Sequence, residues 1–501
     1  MRTLTSQTPS PARSAIGVPG LDDILDGGLL AHRLYLIEGD PGAGKTTLSM
    51  QYLLEGVRLG EKCLYITLSE TREELVASAE SHGWSLDGIE IVELVTDEKE
   101  LDADRQLTMY HPSEVELTET TRRVLEAVQR IGPSRVAFDS LSEMRLLAQS
   151  PLRYRRQILA LKHFFVGRNC TVLLLDDRTG ESSDLQLQSI AHGVITLEQL
   201  SPLYGAARRR LRVAKLRGSD FRGGYHDFAI QKGGVVVFPR LVAAEHREPF
   251  KQSQIKSGIE LLDALLGGGP DRGTSTLFMG PAGVGKSTIA VQYAVAAAER
   301  GDHSVIFAFD ENIQTLEART AGLGIRLTEG TRSGQVKIHQ IDPAELSPGE
   351  FACMVRTAVE RDHARVVVID SINGYLNAMP EERFLTSQMH ELLMYLAQQG
   401  VTTMLVVAQH GLMGASMQSP VDTSYLADSV VLFRYFEARG AVRKAISVVK
   451  KRSGAHEETI RELTLDKEGI HLSAPLTQFR GILTGVPLEL DTPGAAQRAD
   501  L

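Results

Sequence analysis

Two copies of one phosphate-binding loop constrain this 501-residue chain more than any other feature. Gly39-Asp40-Pro41-Gly42-Ala43-Gly44-Lys45-Thr46 and Gly280-Pro281-Ala282-Gly283-Val284-Gly285-Lys286-Ser287 both read G-x-x-x-x-G-K-[ST], and a threonine follows each, Thr47 or Thr288. The glycines let consecutive backbone N–H groups turn inward around an anion, and the lysine reaches the outer phosphates. The hydroxyl after the lysine, on Thr46 or Ser287, is a natural Mg²⁺ ligand. Such a loop needs a strand before it and a helix after it. Both copies have that setting, with apolar runs at 34–38 and 276–279 leading in and amphipathic stretches at 46–58 and 287–300 leading out. The chain is therefore expected to bind ATP and Mg²⁺ at two sites.

The halves match well outside the loops. Gly17, Leu21 and Asp22 answer to Gly258, Leu262 and Asp263, and the offset 258 − 17 = 241 equals 286 − 45 between the loop lysines. A second apolar run ends in acid in each half, at Glu70 and at Asp310-Glu311, where 311 − 70 is again 241. "SRVAFDS" and "ARVVVIDS" read as buried strands ending in Asp139 and Asp370, carboxylates suited to holding a Mg²⁺ shell beside the loop. Apolar runs follow at 171–175 and 403–407, and late in each half stand "VAKLRG" and "VVKKRSG". Strands alternating with helices predict an α/β fold, each half a mostly parallel sheet covered by helices on both faces, with ligands at the carboxyl ends of the strands. The expected organisation is a tail at 1–13, a domain at 14–240, a polar linker at 241–254, a second domain at 255–485 and a tail at 486–501.

Composition narrows the function classes. Hydrophobic content of 43% and charged content of 23% are those of a globular protein, and no apolar run is long enough to span a bilayer. Net charge −9 disfavours a dedicated nucleic-acid binder, although a basic run (Arg208, Arg209, Arg210, Arg212) is present. Three scattered cysteines, Cys63, Cys170 and Cys353, exclude a disulfide framework and point to a reducing cytoplasm, with the first two read as buried small hydrophobes. The histidines show no ligand spacing.

Hydrolysis needs a carboxylate that orients a nucleophile at the γ-phosphorus, and Glu70, Asp310 and Glu311 are the candidates. Lys215 with Arg217, and Lys450 with Arg452, present paired cations on one strand face. Their recurrence suggests phosphate sensing across a subunit boundary, as arginine fingers do. Gln409, just past an apolar strand, is a further candidate γ-phosphate sensor.

With these residues in view, the chain resembles the KaiC-type circadian-clock ATPases, a duplicated branch of the RecA-like P-loop proteins. The likeness covers about residues 14–485 and is carried by the paired loops, the acids, the strands ending in Asp139 and Asp370, and both Lys-x-Arg segments. "ADSVVLFRYFEARG" and "HEETIRELTLDKEG" look especially like the family's second domain. The resemblance implies two tandem RecA-like domains, a homohexameric double ring with ATP between subunits, slow hydrolysis in the first domain, and autophosphorylation on adjacent Ser and Thr in the second. The family's Ser matches Ser424, while its Thr position holds Tyr425, with Thr423 on the other side as a substitute. Single-site autophosphorylation is the resulting expectation. Ser69-Glu70 replaces the family's first acid pair, leaving Glu70 alone to orient water, and Asp310 is one methylene shorter than the usual Glu. The segment after Phe479 lacks the extension that recruits KaiA in cyanobacterial members, so KaiA dependence is not expected, whereas a KaiB-like or signalling partner is. Two other readings stay open at this point: a nucleotide-gated scaffold with little turnover, and a RecA-like DNA-dependent ATPase.

Overall fold

The computed structural model describes residues 12–94, 112–178, 183–202, 204–377, 384–409, 425–483 and 487–490. It divides into two units, residues 1–240 and 241–501. In each unit the apolar runs become a nine-stranded sheet among the described residues. The first contains β1 (Leu34–Gly39), β2 (Cys63–Thr67), β3 (Ile89–Glu93), β4 (Arg135–Asp139), β5 (Thr171–Asp177), β6 (Gly193–Leu200), β7 (Arg208–Leu216), β8 (His226–Gln231) and β9 (Gly234–Phe238). The second contains β10 (Ser275–Gly280), β11 (His303–Ala308), β12 (Val336–Gln340), β13 (Ala364–Asp370), β14 (Thr402–Ala408), β15 (Ser429–Ala438), β16 (Ala441–Lys451), β17 (Arg461–Asp466) and β18 (Gly469–Pro475).

Strand order is the same in both, β9-β8-β7-β6-β1-β5-β4-β2-β3 and β18-β17-β16-β15-β10-β14-β13-β11-β12. Six strands of each sheet run parallel and an antiparallel trio closes one side. This is the expected pair of tandem RecA-like domains, each a mostly parallel sheet flanked by helices. Parallel strands need covered faces because their crossovers lay helices on them. Accordingly Tyr35 and Ile37 face one buried cluster while Leu34 and Leu36 face another.

Local chemistry sets where the functional segments sit. Gly44 (φ 98°) and Gly285 (φ 112°) hold the left-handed turn that starts helix α1 (Lys45–Arg58) and helix α2 (Lys286–Glu299), a conformation other residues adopt only with strain. After β2 and β11 the chain passes its acid and enters a capped helix. Thr71 and Glu74 form a reciprocal capping box, and Asn312 Oδ1 accepts from Thr315 N at 2.8 Å. These caps fix the point where the chain turns, and thereby hold Glu70 and Glu311 at the strand ends.

Three segments differ from expectation. Residues expected as a linker pack on the second unit: Ala243 is buried, its N–H reaches Glu391 at 3.2 Å, and Phe250 lies under Arg272. Those two side chains bury apolar area that a count of polar residues conceals. Leu488–Glu489, within the expected tail, pairs with Phe479–Arg480. Arg13, also assigned to a tail, pairs with Leu30 and donates to Leu25 O. Cys63 and Cys170 are buried as expected, and burial pushes the Cys63 thiol up to about 11. Among the described residues no helix is long and apolar enough to cross a membrane.

Candidate active sites

Both loops stand at the carboxyl ends of central parallel strands. In the first unit Thr46 Oγ1 donates to Asp139 Oδ2 at 3.0 Å, and Tyr65 OH reaches the same oxygen at 2.6 Å. Burial raises the Asp139 carboxyl above its usual range, while the hydrogen bonds from Tyr65 and Thr46 and the Lys45 ammonium oppose that rise. In the second unit Ser287 hydrogen-bonds Asp370, whose carboxyl is likewise raised by burial. A hydroxyl beside a desolvated carboxylate, next to a backbone cradle for phosphate, is an oxygen donor set that fits Mg²⁺.

The loop lysines differ. Lys45 Nζ donates to Gly39 O and Asp40 O, both at 3.0 Å, and pairs with Asp177 Oδ1 at 2.7 Å. Lys286 Nζ donates to Pro281 O at 2.7 Å, and burial lowers its pKa to about 8. The glycines between them are arranged alike, with Gly42 and Gly283 at φ 78° and 74°.

The candidate acids also differ. Glu70 is half-buried and no partner holds its carboxylate among the described residues; burial raises its pKa, with Asp139 and Glu74 adding to the rise. Its backbone is tied down instead, since Glu70 N donates to Thr67 Oγ1 at 3.0 Å. In the second unit Ser371 Oγ donates to Asp310. Glu311 is gripped by Arg319 through a fork, Nε to Oε1 at 3.1 Å and Nη2 to Oε2 at 2.8 Å, while Nη1 reaches Thr288 Oγ1 at 2.8 Å.

The cation pairs lie elsewhere. Lys215 pairs across the sheet with Val194, beside Leu36, and Lys450 with Val430, beside Leu277. That is the amino end of each parallel sheet, opposite the unit's own phosphate loop. Lys215 Nζ donates to the carbonyls of Gln188 (2.5 Å) and Ala191 (2.8 Å); Lys450 Nζ donates to Ala427 O at 2.7 Å. Arg217 and Arg452 are exposed. Gln409 N donates to Gly280 O at 3.0 Å and its side-chain oxygen accepts from Arg434, so it does adjoin the second loop. The candidate phosphoacceptors Thr423 and Ser424 lie outside the described residues.

Sequence reasoning missed Asp177 and Arg319. Asp177 carried a signal, an acid ending the strand next to the loop strand. Arg319 carried none, because eight residues separate it from Glu311 and only the turn into the next helix brings them together.

Similarity to known proteins agrees with this geometry. The family model "ATPase: KaiC" matches residues 14–242 and 255–476. The circadian clock protein KaiC3 of Synechocystis sp. is 26% identical over 493 residues, 97% of this chain and 96% of the relative. The circadian clock oscillator protein KaiC of Picosynechococcus sp. is 26% identical over 480 residues (94% and 92%), and that of Parathermosynechococcus lividus 27% over 484 residues (95% and 88%). Two loops on two sheets of one order, each within a stretch that the family model matches, make this chain a member of the KaiC ATPase family.

Proposed function

We propose that copies of this chain assemble into a homohexameric double ring that hydrolyses ATP in its first unit and autophosphorylates in its second, serving as a circadian-type or signalling regulator. The observation that carries the reading is the separation of Lys215, Arg217, Lys450 and Arg452 from the phosphate loops of their own units, at opposite ends of each sheet. Within its own unit each pair is remote from the bound phosphate, so these cations would act on a phosphate outside that unit, as the arginine finger of a neighbouring copy does.

The first unit's chemistry falls to Glu70. Its carboxylate is free to accept a proton from an attacking water, and its raised pKa makes it the stronger base. In the second unit the same task towards a hydroxyl falls to Asp310, while Arg319 occupies Glu311. Thr46 with Asp139, and Ser287 with Asp370, would hold Mg²⁺, which supplies charge neutralisation at the phosphates. The acceptor is Ser424 or Thr423. The chain just beyond them is pinned to the cation pair, since Lys450 binds Ala427 O and Arg452 lies 3.5 Å from Asp428. The relatives' names as circadian clock proteins support a regulatory role; a KaiB-like or signalling protein as partner and a cytoplasmic setting belong to the same proposal. Neither a membrane nor nucleic acid is called for.

Light scattering in Mg²⁺ with a non-hydrolysable ATP analogue, and phosphosite mapping by mass spectrometry after incubation with Mg-ATP, test both halves. A hexamer and phosphate on Ser424 or Thr423, largely lost in Ser424→Ala, are expected. A monomer at saturating nucleotide contradicts the assembly, and an unphosphorylated 423–425 segment contradicts the kinase.

A further inference from the structure

A cavity of about 430 Å³ opens on the first unit, and no residue of the phosphate loop lines it. Helix α1 contributes one stripe of side chains at helical spacing, Gln51, Leu54, Glu55 and Arg58, and Trp84 forms a wall. Its volume is that of a small-molecule site.

The lining side chains are held in place. Gln51 binds both backbone groups of Val235, its Oε1 accepting at 2.7 Å and its Nε2 donating at 3.2 Å. That orients the amide and leaves its second N–H uncommitted among the described residues. A Cβ on Gly234 would collide with Trp84 Cζ2, and one on Gly17 with Glu55 Cβ, so bare backbone packs on both side chains. Arg58 grips Glu55 with two bonds, Nε to Oε2 at 2.7 Å and Nη2 to Oε1 at 2.6 Å. The pairing holds the Glu55 carboxyl below its usual range, so both its oxygens are acceptors. Glu55 is 15% exposed and Arg58 68%, so the arginine can swing away at little cost while the acid stays. The second unit has no such set: by the offset of 241, Trp84, Glu55 and Arg58 answer to Ile325, Ala296 and Glu299, the first two buried.

We propose that this cavity binds a free guanine mononucleotide, its base against Trp84, its N1–H and N2–H edge on Glu55, and its phosphate on the Arg58 that Glu55 releases. An indole wall with Leu54 beside it calls for a flat, largely apolar ring. Two carboxylate oxygens call for two adjacent N–H donors, and guanine has them. Adenine sets its amino group beside a ring-nitrogen acceptor, which a carboxylate repels. The second N–H of Gln51 is a donor for the guanine carbonyl. Arg58 exchanges one anion for another and keeps a charge-assisted fork. The preference for guanine over adenine sets this site apart from the two ATP loops.

Trp84 is the only tryptophan of the chain, so its emission reports on the site directly. The full chain, its loops saturated with Mg²⁺ and a non-hydrolysable ATP analogue, is titrated with GMP and with AMP, by fluorescence and by calorimetry. GMP should quench the emission saturably, and AMP should bind at least about tenfold more weakly. Glu55→Gln should weaken GMP about tenfold to a hundredfold while binding of the ATP analogue is unchanged. Arg58→Ala should weaken GMP about tenfold and leave guanosine no weaker, since only the phosphate contact is lost. Neither quenching nor heat at about 10 mM GMP, in a chain that still binds the ATP analogue, would overturn the proposal. An equal response to AMP, or a GMP affinity indifferent to Glu55→Gln, would overturn it too. A response to single-stranded poly(G) without one to GMP would assign the site to RNA and overturn the mononucleotide.

Discussion

The two units share a strand order, a loop and a hydroxyl–carboxylate pair, yet keep their extra charge at different points of the site. The first adds an acid, Asp177, against its lysine, and among the described residues no partner holds the carboxylate of its candidate base Glu70. The second adds a cation, Arg319, against one of its acids, and among the described residues its lysine forms no ion pair within hydrogen-bonding reach, with Asp370 as the nearby negative charge. By the offset of 241, position 319 falls on Ser78 in the first unit, which cannot form that fork. Duplication kept the cradle and varied what competes for its charges. Two equal loops can thus sit among different neighbouring charges without any change in the loops.

The largest expected effect breaks the comparison at Glu70. In a chain with Lys286→Ala, Glu70→Gln should slow ATP turnover about a hundredfold or more, measured by phosphate release. Turnover that survives would move the first unit from hydrolysis to nucleotide-gated scaffolding.

Acid should separate the units next. His226 in the first unit is 1% exposed, its Nε2 hydrogen-bonded to Arg222 O (3.0 Å) and its Nδ1 accepting from Arg240 N (2.8 Å). Burial, with Arg240 and Arg222 nearby, lowers its pKa from 6.5 to about 4. Above pH 6.5 the imidazole is neutral folded or unfolded and contributes nothing. Between pH 6.5 and 4 the unfolded chain takes up a proton that the folded chain refuses, which costs about 3 kcal/mol by pH 4. The matching strand start in the second unit is Arg461, paired with Glu457 at 2.7 Å. Thermal melts between pH 7 and 4 should show the first unit losing stability first. His226→Gln should flatten that dependence.

The clamp on Glu311 is the next place to press. With Lys45→Ala silencing the first unit, Arg319→Ala should lower second-unit turnover about tenfold to thirtyfold, because the Glu311 carboxylate is then left without its counter-charge beside Asp310. Adding Glu311→Gln should restore much of the rate; Arg319→Lys should rescue little, since lysine has no fork. A purely structural arginine would show no recovery with Glu311→Gln.

The smallest expected effect concerns Lys286. Its protonated form binds phosphate, and its pKa stands near 8. Second-site affinity should therefore hold below pH 8 and fall about tenfold by pH 9, read by titration with a fluorescent ATP analogue in Mg²⁺ in a Lys45→Ala chain. A flat profile to pH 9 would show that another group carries the charge.

Much of this was legible in the residues. Loop spacing, the acid-ending strands and the constant offset identified two α/β repeats, the loop lysines and Asp139 and Asp370, because each is a local pattern of strand, turn and helix. The packed stretch at 243–250 was not legible, since two apolar side chains among charges give no period. Nor was the placement of Lys215 and Lys450, because strand pairing, rather than sequence position, sets which end of a sheet a residue occupies. Asp177 and Arg319 escaped for a similar reason: each acts on a partner from another strand or the next helix.

By itself the sequence determined the repeat, the phosphate cradles and their attached hydroxyls and lysines, since these depend on residues adjacent in the chain. Only the tertiary structure decided which charges face one another. Parallel β-pairing sets Asp177 beside Gly39 and Ala408 beside Gly280, and a helix turned back on its strand brings Arg319 to Glu311. Contacts across strands depend on register, and register is fixed by the whole sheet.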